Sequence, residues 1–191
     1  MIDGFNLTNW PIVYFSNNNN NMTMDDLQFE ELKEYYLNLL VKCKRNKEKI
    51  TLIFNLNNLC ESNPSIKYVM KFAQFSKSIY KYNKEYVLGV CLLSKNKYLK
   101  DLLNIYFTVT KPACPVKICR SKEKASKFFK EKLNMNINLN KIIIDFDNDL
   151  DLSNNEDEKD SNDDMDEYSN VAQEENIEPD FDKDKYSSLL Q

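Results

Sequence analysis

Six oxygen-bearing residues at near-regular spacing form the sharpest chemical pattern in the chain: Asp145, Asp147, Asp149, Asp151, Ser153 and Glu156. They fall at positions 1, 3, 5, 7, 9 and 12 of a loop, the arrangement of hard oxygen donors that Ca²⁺ takes. Leu150 stands at the sixth position, where the sharp turn needs glycine. The flanks read as strand (Ile142–Ile144) and coil (Asp157–Asp166) rather than as paired amphipathic helices. The stretch therefore reads first as a solvated acidic segment, and no metal is expected. Ser153 and Ser161 lie in acidic contexts, Ser-Asn-Asn-Glu and Ser-Asn-Asp-Asp, of the kind acid-directed kinases favour, so both are candidate phosphorylation sites.

Other reactive side chains are scarce. The chain has no histidine, which removes Ser-His-Asp and Cys-His nucleophilic chemistry and imidazole-ligated metals. Its two glycines, Gly4 and Gly89, cannot build a glycine-rich phosphate loop. Five cysteines (Cys43, Cys60, Cys91, Cys114 and Cys119) form no Cys-x-x-Cys pair and read as free thiols in a reducing compartment. Cys114 and Cys119 are the one pair close enough in sequence to suggest redox or metal chemistry, but their spacing fits no zinc knuckle. No enzymatic activity and no cofactor are expected.

Charge divides the chain sharply. Residues 1–145 hold 23 Lys/Arg against 13 Asp/Glu, a net of +10, and residues 146–191 hold 3 Lys against 17 Asp/Glu, a net of −14. The acidic part has few aromatics and too little apolar content to offset the entropy of ordering, so it reads as a disordered tail. Two basic groups stand out: Lys42, Lys44, Arg45, Lys47 and Lys49, and then Lys122, Lys124, Lys127, Lys130 and Lys132. Such stripes can contact nucleic acid or an anionic membrane, although a solvated face is the favoured reading. The acidic tail would compete with a polyanion for them.

The elements that must position these residues alternate in type. Pro11–Phe15, Ile50–Leu56, Tyr86–Leu93 and Val116–Cys119 read as strands rich in β-branched or aromatic residues. Thr23 is placed to cap a helix running to about Cys43, with Leu27, Leu32, Tyr35, Tyr36, Leu39 and Leu40 at helical spacing. Pro64 and Ser65 open a second helix reaching about Tyr80, its inner stripe being Ile66, Val69, Met70, Phe72 and Ala73. A third follows Asn96, with Leu99, Leu102, Leu103 and Phe107. Ser121 caps a last helix bearing Ala125, Phe128, Phe129 and Leu133. Lys141–Phe146 reads as an edge strand or a linker. Alternating strands and helices imply an α/β domain with a mostly parallel sheet of four to five strands and about four helices. Residues 1–9 are then a lead-in, 10–145 the domain and 146–191 the tail.

The centre of the chain resembles the STAS domain of anti-sigma-factor antagonists and of anion-transporter cytoplasmic ends. The likeness rests on the strand ending in Asn55-Leu56-Asn57-Asn58-Leu59 and on Asn63-Pro64-Ser65-Ile66 at a helix start, and it extends over about residues 10–133. The family pattern is roughly D-L-S-G-V followed by D-S-S-G-L. By that resemblance Ser65 matches the phosphorylated serine and Asn63 the acidic residue before the serine pair. Pro64 replaces the first serine, and Ile66 stands where the family has glycine. Read from its position alone, Ser65 is a first-turn serine satisfying a helix terminus. The same element order also resembles the lipid-binding lobe of CRAL-TRIO proteins, without that family's helical N-terminal region.

The resemblance implies a cytoplasmic, non-catalytic module that docks another protein through a loop including Asn57, Asn58, Asn63 and Ser65, with phosphate on Ser65 as a switch. The alternatives are a carrier of a small apolar ligand or lipid, and a polyanion-binding domain restrained by its own tail.

Overall fold

The computed structural model describes residues 5–16, 25–56, 66–96, 98–142 and 167–168. Four parallel strands form the centre of the sheet: β2 (Ile12–Ser16), β3 (Ile50–Asn55), β4 (Val87–Leu93) and β5 (Val116–Cys119). They lie side by side in chain order. Two-residue antiparallel segments close both edges, β1 (Phe5–Asn6) against β2 and β6 (Glu167–Tyr168) against β5.

Five helices accompany the sheet: α1 (Asp26–Asn46), α2 (Ile66–Ser78), α3 (Tyr80–Tyr86), α4 (Leu99–Val109) and α5 (Lys122–Leu133). Strands that advance in one direction, joined by crossovers of one hand, must place their connecting helices on one face. The packing agrees. Val13, Leu52, Val90, Leu92, Val116 and Ile118 point to the face covered by α1 to α4. Tyr14, Ile53, Cys91, Leu93 and Cys119 point to the other. There α5 contributes Ala125, Phe128 and Phe129, and the chain after it contributes Ile137, Leu139 and Ile142. Full burial of a residue such as Phe129 or Leu40 stabilises the fold by about 1.5–3 kcal/mol relative to exposure.

Several local expectations are corrected. The first helix is capped by Asp25 rather than Thr23: Gln28 N donates to Asp25 Oδ1 at 2.8 Å and the Gln28 side chain accepts from Asp25 N at 3.1 Å. That reciprocal box satisfies two terminal donors at once. Leu27 and Tyr35 face outward, and Phe29, Leu37 and Cys43 are buried on α1 with Leu32, Leu39 and Leu40. The second helix is interrupted at Ile79, whose side chain is buried. A further helix then runs to Tyr86, so Tyr86 ends α3 instead of starting β4. Lys141 belongs to a short 3-10 helix (Leu139–Lys141) rather than to an edge strand, and residues 143–146 lie outside the described residues. Ser121 caps α5 as expected, its Oγ accepting from Lys124 N at 3.2 Å.

Candidate binding surface at the carboxyl edge of the sheet

Parallel strands bring the starts of their following helices to one end. Here the carboxyl ends of β2, β3, β4 and β5 lead toward the first turns of α1, α2, α4 and α5. Doubly wound sheets bind ligands at this end where the strand order reverses; here the order runs without reversal, and it is the side chains gathered at this end that are chemically distinctive.

On the face covered by α5, the last register row runs Ser16, Asn55, Leu93, Cys119. Ser16, Asn55 and, just beyond β4, Ser94 are buried polar residues. Asn55 Nδ2 donates to Tyr14 Oη at 3.1 Å, and Ser94 Oγ accepts from Asn96 N at 3.1 Å. Lys122, in the first turn of α5, is only 8% exposed. Sequence reading placed it in a solvent-facing basic stripe; instead it packs into the domain.

Between α1 and α2, Asp26 collects three donors. Lys71 Nζ lies 2.7 Å from Asp26 Oδ1, Tyr68 Oη 2.9 Å and Lys67 Nζ 3.1 Å. The bonds from Lys71, Tyr68 and Lys67 hold the Asp26 carboxyl far below the usual carboxylate range. The Tyr68 hydroxyl is pushed up by burial and by its bond to Asp26. Beneath this cluster the Phe29 ring meets Phe72 edge-on at 4.9 Å, with Lys33 and Lys71 Nζ each 5.4 Å from its centre. Nothing local in the sequence signals the cluster, because the partners of Asp26 lie 41 to 45 residues away.

Three large apolar residues are exposed at the same edge: Leu27 at 70%, Ile66 at 59% and Tyr98 at 64%. Each stands at or just before the first turn of its helix. Ile66 was expected on the inner stripe of its helix, and it faces solvent instead. Leu27 and Ile66 follow and precede the ion-paired Asp26 and Lys67 in sequence, so apolar surface flanks a charged centre.

The remaining candidate residues divide by position. Asn57, Asn58, Asn63 and Ser65 belong to the connection from β3 to α2 and lie outside the described residues. Its two anchors are described: Leu56, whose N donates to Leu93 O at 2.8 Å, and Ile66. Asp145, Asp147, Asp149, Asp151, Ser153, Glu156 and Ser161 also lie outside the described residues. Cys114 and Cys119 are not brought together. Cys114 packs in the core beneath α1 and α3, and Cys119 packs beneath α5 on the opposite face. Burial pushes the Cys114 thiol up to about 12. Cys43 is pushed up to about 11, first by burial and then by the charge of Glu48. Among the described residues, no group of three or more His, Cys, Asp or Glu side chains could hold a metal ion. No helix among them is long and apolar enough to cross a membrane.

The opposite, amino edge is basic. Arg45, Lys47 and Lys49 follow or end α1, and Lys130 and Lys132 end α5. All five are exposed. Lys42 lies over the Trp10 ring at 3.8 Å, and Trp10 Nε1 donates to Glu48 at 2.7 Å.

Residues 59–133 match the model of a domain of unknown function, DUF7793. The matched span begins within the β3–α2 connection and ends with α5. The chain matches no curated protein and no solved structure.

Proposed function

We propose that this domain is a non-catalytic protein-interaction module of STAS type, acting in the cytoplasm, which docks a partner protein through the carboxyl edge of its sheet. One observation carries the reading: Leu27, Ile66 and Tyr98 are all exposed at the starts of helices on that edge. Large apolar side chains left in water at one end of a domain mark a surface that gains free energy when covered. Four parallel strands in sequential order are consistent with the STAS resemblance, and so is the place of the β3–α2 connection at the same edge. Phosphate on Ser65 would put about two negative charges beside Ile66 and Lys67, and desolvating them would oppose docking.

The test is comparative cross-linking in native cells between the wild-type chain and two variants, Ile66→Asp and Ser65→Asp. Proteins cross-linked to residues near α1 and α2 in the wild type should be lost from both variants. An unchanged set of partners with Ile66→Asp would remove the edge as a docking surface. An unchanged set with Ser65→Asp alone would remove the switch.

The basic amino edge favours a second reading, a polyanion-binding surface. Replacing Lys130 and Lys132 by Glu should then abolish retention on a polyanionic resin at low salt. Retention equal to wild type would exclude this edge.

A further inference from the structure

The last parallel strand needs a neighbour. On its inner side β5 bonds to β4, with Val90 N donating to Pro115 O at 2.9 Å and Ser94 N to Cys119 O at 3.1 Å. On its outer side the main chain would be left as an open template for another strand. The segment that closes it comes from the acidic end of the chain: Tyr168 pairs with Val116 and Glu167 with Lys117, antiparallel. The register therefore sets an acidic residue opposite a basic one. Lys111 and Arg120, which precede and follow β5 in sequence, are exposed basic residues. The segment they would attract carries 17 Asp/Glu and 3 Lys over residues 146–191.

The two edge closures differ in kind. Only five residues join β1 to β2, and two of them, Leu7 and Trp10, pack on the core. By contrast, 24 residues separate Ile142, the last core residue of the domain, from Glu167. A chain of that length can reach up to about 80 Å, so length alone does not tie Glu167–Tyr168 to β5. Two cross-strand pairs are also fewer than a stable strand makes. Such a strand holds its place because pairing within one chain is intramolecular, and a free competitor must exceed its effective concentration.

We propose that the outer edge of β5 is a strand-docking groove, that its occupant is the chain's own acidic segment around Glu167–Tyr168, and that this segment is a removable guard. Main-chain pairing supplies the binding and the basic flank selects an acidic strand. Release of the guard exposes an edge suited to an extended acidic segment of the same kind.

The test uses the full-length chain. Tyr168→Pro removes an N–H and disfavours pairing at that position; Asn176→Pro serves as a control outside the paired segment. Glu167→Lys is a milder variant that keeps the main chain intact and sets like charges across the register. The probe is a synthetic peptide of residues 162–173, with a scrambled peptide of equal composition. Amide exchange at residues 116–119 should rise in Tyr168→Pro and, to a smaller extent, in Glu167→Lys, while exchange in β3 and in the Asn176→Pro control stays at wild type. The peptide should bind Tyr168→Pro about tenfold more tightly than wild type, because the competitor in the same chain is gone, and should restore protection at residues 116–119. Unchanged exchange at β5 in both variants would overturn the proposal. So would equal peptide binding to wild type and Tyr168→Pro, or equal binding of the scrambled peptide.

Discussion

Gly89 and Leu133 stand in a contact that leaves no room for a side chain on the strand. A Cβ at Gly89 would lie 2.7 Å from Leu133 Cδ1 and 2.9 Å from Cδ2. The approach lets α5 settle on β4 and carries Phe128 and Phe129 into the core. The atoms in the way are the tips of a half-buried leucine, which can move. Gly89→Ala should therefore destabilise the domain by about 1 kcal/mol, the low end of overpacking costs, and Gly89→Val by more. Chemical denaturation checks both values. Leu133→Ala added to Gly89→Ala should cost less than the two single changes together, since the clash is then absent.

Asp26 makes a pH-dependent tie between α1 and α2. Its carboxyl is held below its ordinary value by Lys71, Tyr68 and Lys67. The contribution is thus fully present above the unfolded value of about 4 and is lost as pH falls through the lower folded value. Asp26→Asn should lower the thermal midpoint at pH 7. That difference should shrink as pH falls below about 4 and as salt is added, because the cluster is solvent-exposed. A midpoint gap between the two proteins that stays constant down to pH 2 would contradict the assignment.

Buried thiols predict the opposite limb of the pH profile. Cys43 is raised to about 11 and Cys114 to about 12. Cys91 is also raised, by burial and by its hydrogen bond with Cys119. For groups raised in the folded state, stability is full below the unfolded thiol value of about 8.5 and falls as pH climbs from there toward the folded values. Denaturant midpoints should accordingly decline above about pH 8.5. Replacing Cys114 by Ala should flatten that decline, at the cost of a small cavity. Aromatic disulfide reagents should modify Cys43, Cys91, Cys114 and Cys119 no faster than the protein opens, since all four are buried.

Tyr14 and Asn55 hold the carboxyl edge from below. Asn55 Nδ2 donates to Tyr14 Oη at 3.1 Å, and both residues are buried. Tyr14→Phe keeps the ring and deprives the amide of an acceptor, so it should cost about 1–3 kcal/mol. Chemical denaturation of Tyr14→Phe beside wild type checks the value.

Pattern and propensity alone specified most of the elements, because strand and helix periodicities are local properties of the chain. The apolar strand runs from Ile50 and, one residue after its expected start, from Val87, the alternation of strands and helices, and the Ser121 cap could all be read without coordinates. So could the parallel sheet, since α/β alternation leaves few other ways to bury both faces. Which side chains meet was decided only in three dimensions. Asp26, whose place in the first turn of α1 suits only the helix dipole, accepts from three donors on another helix. Leu27 and Ile66 matched a helical stripe, yet the rotation of each helix in the packed domain turned them to water. Cys114 and Cys119 are five residues apart in sequence and lie on opposite faces of one sheet. Residue spacing records neighbours along a strand or a helix, whereas a site is built where separate elements converge. Those convergences depend on crossover direction and packing angle, which no local window contains.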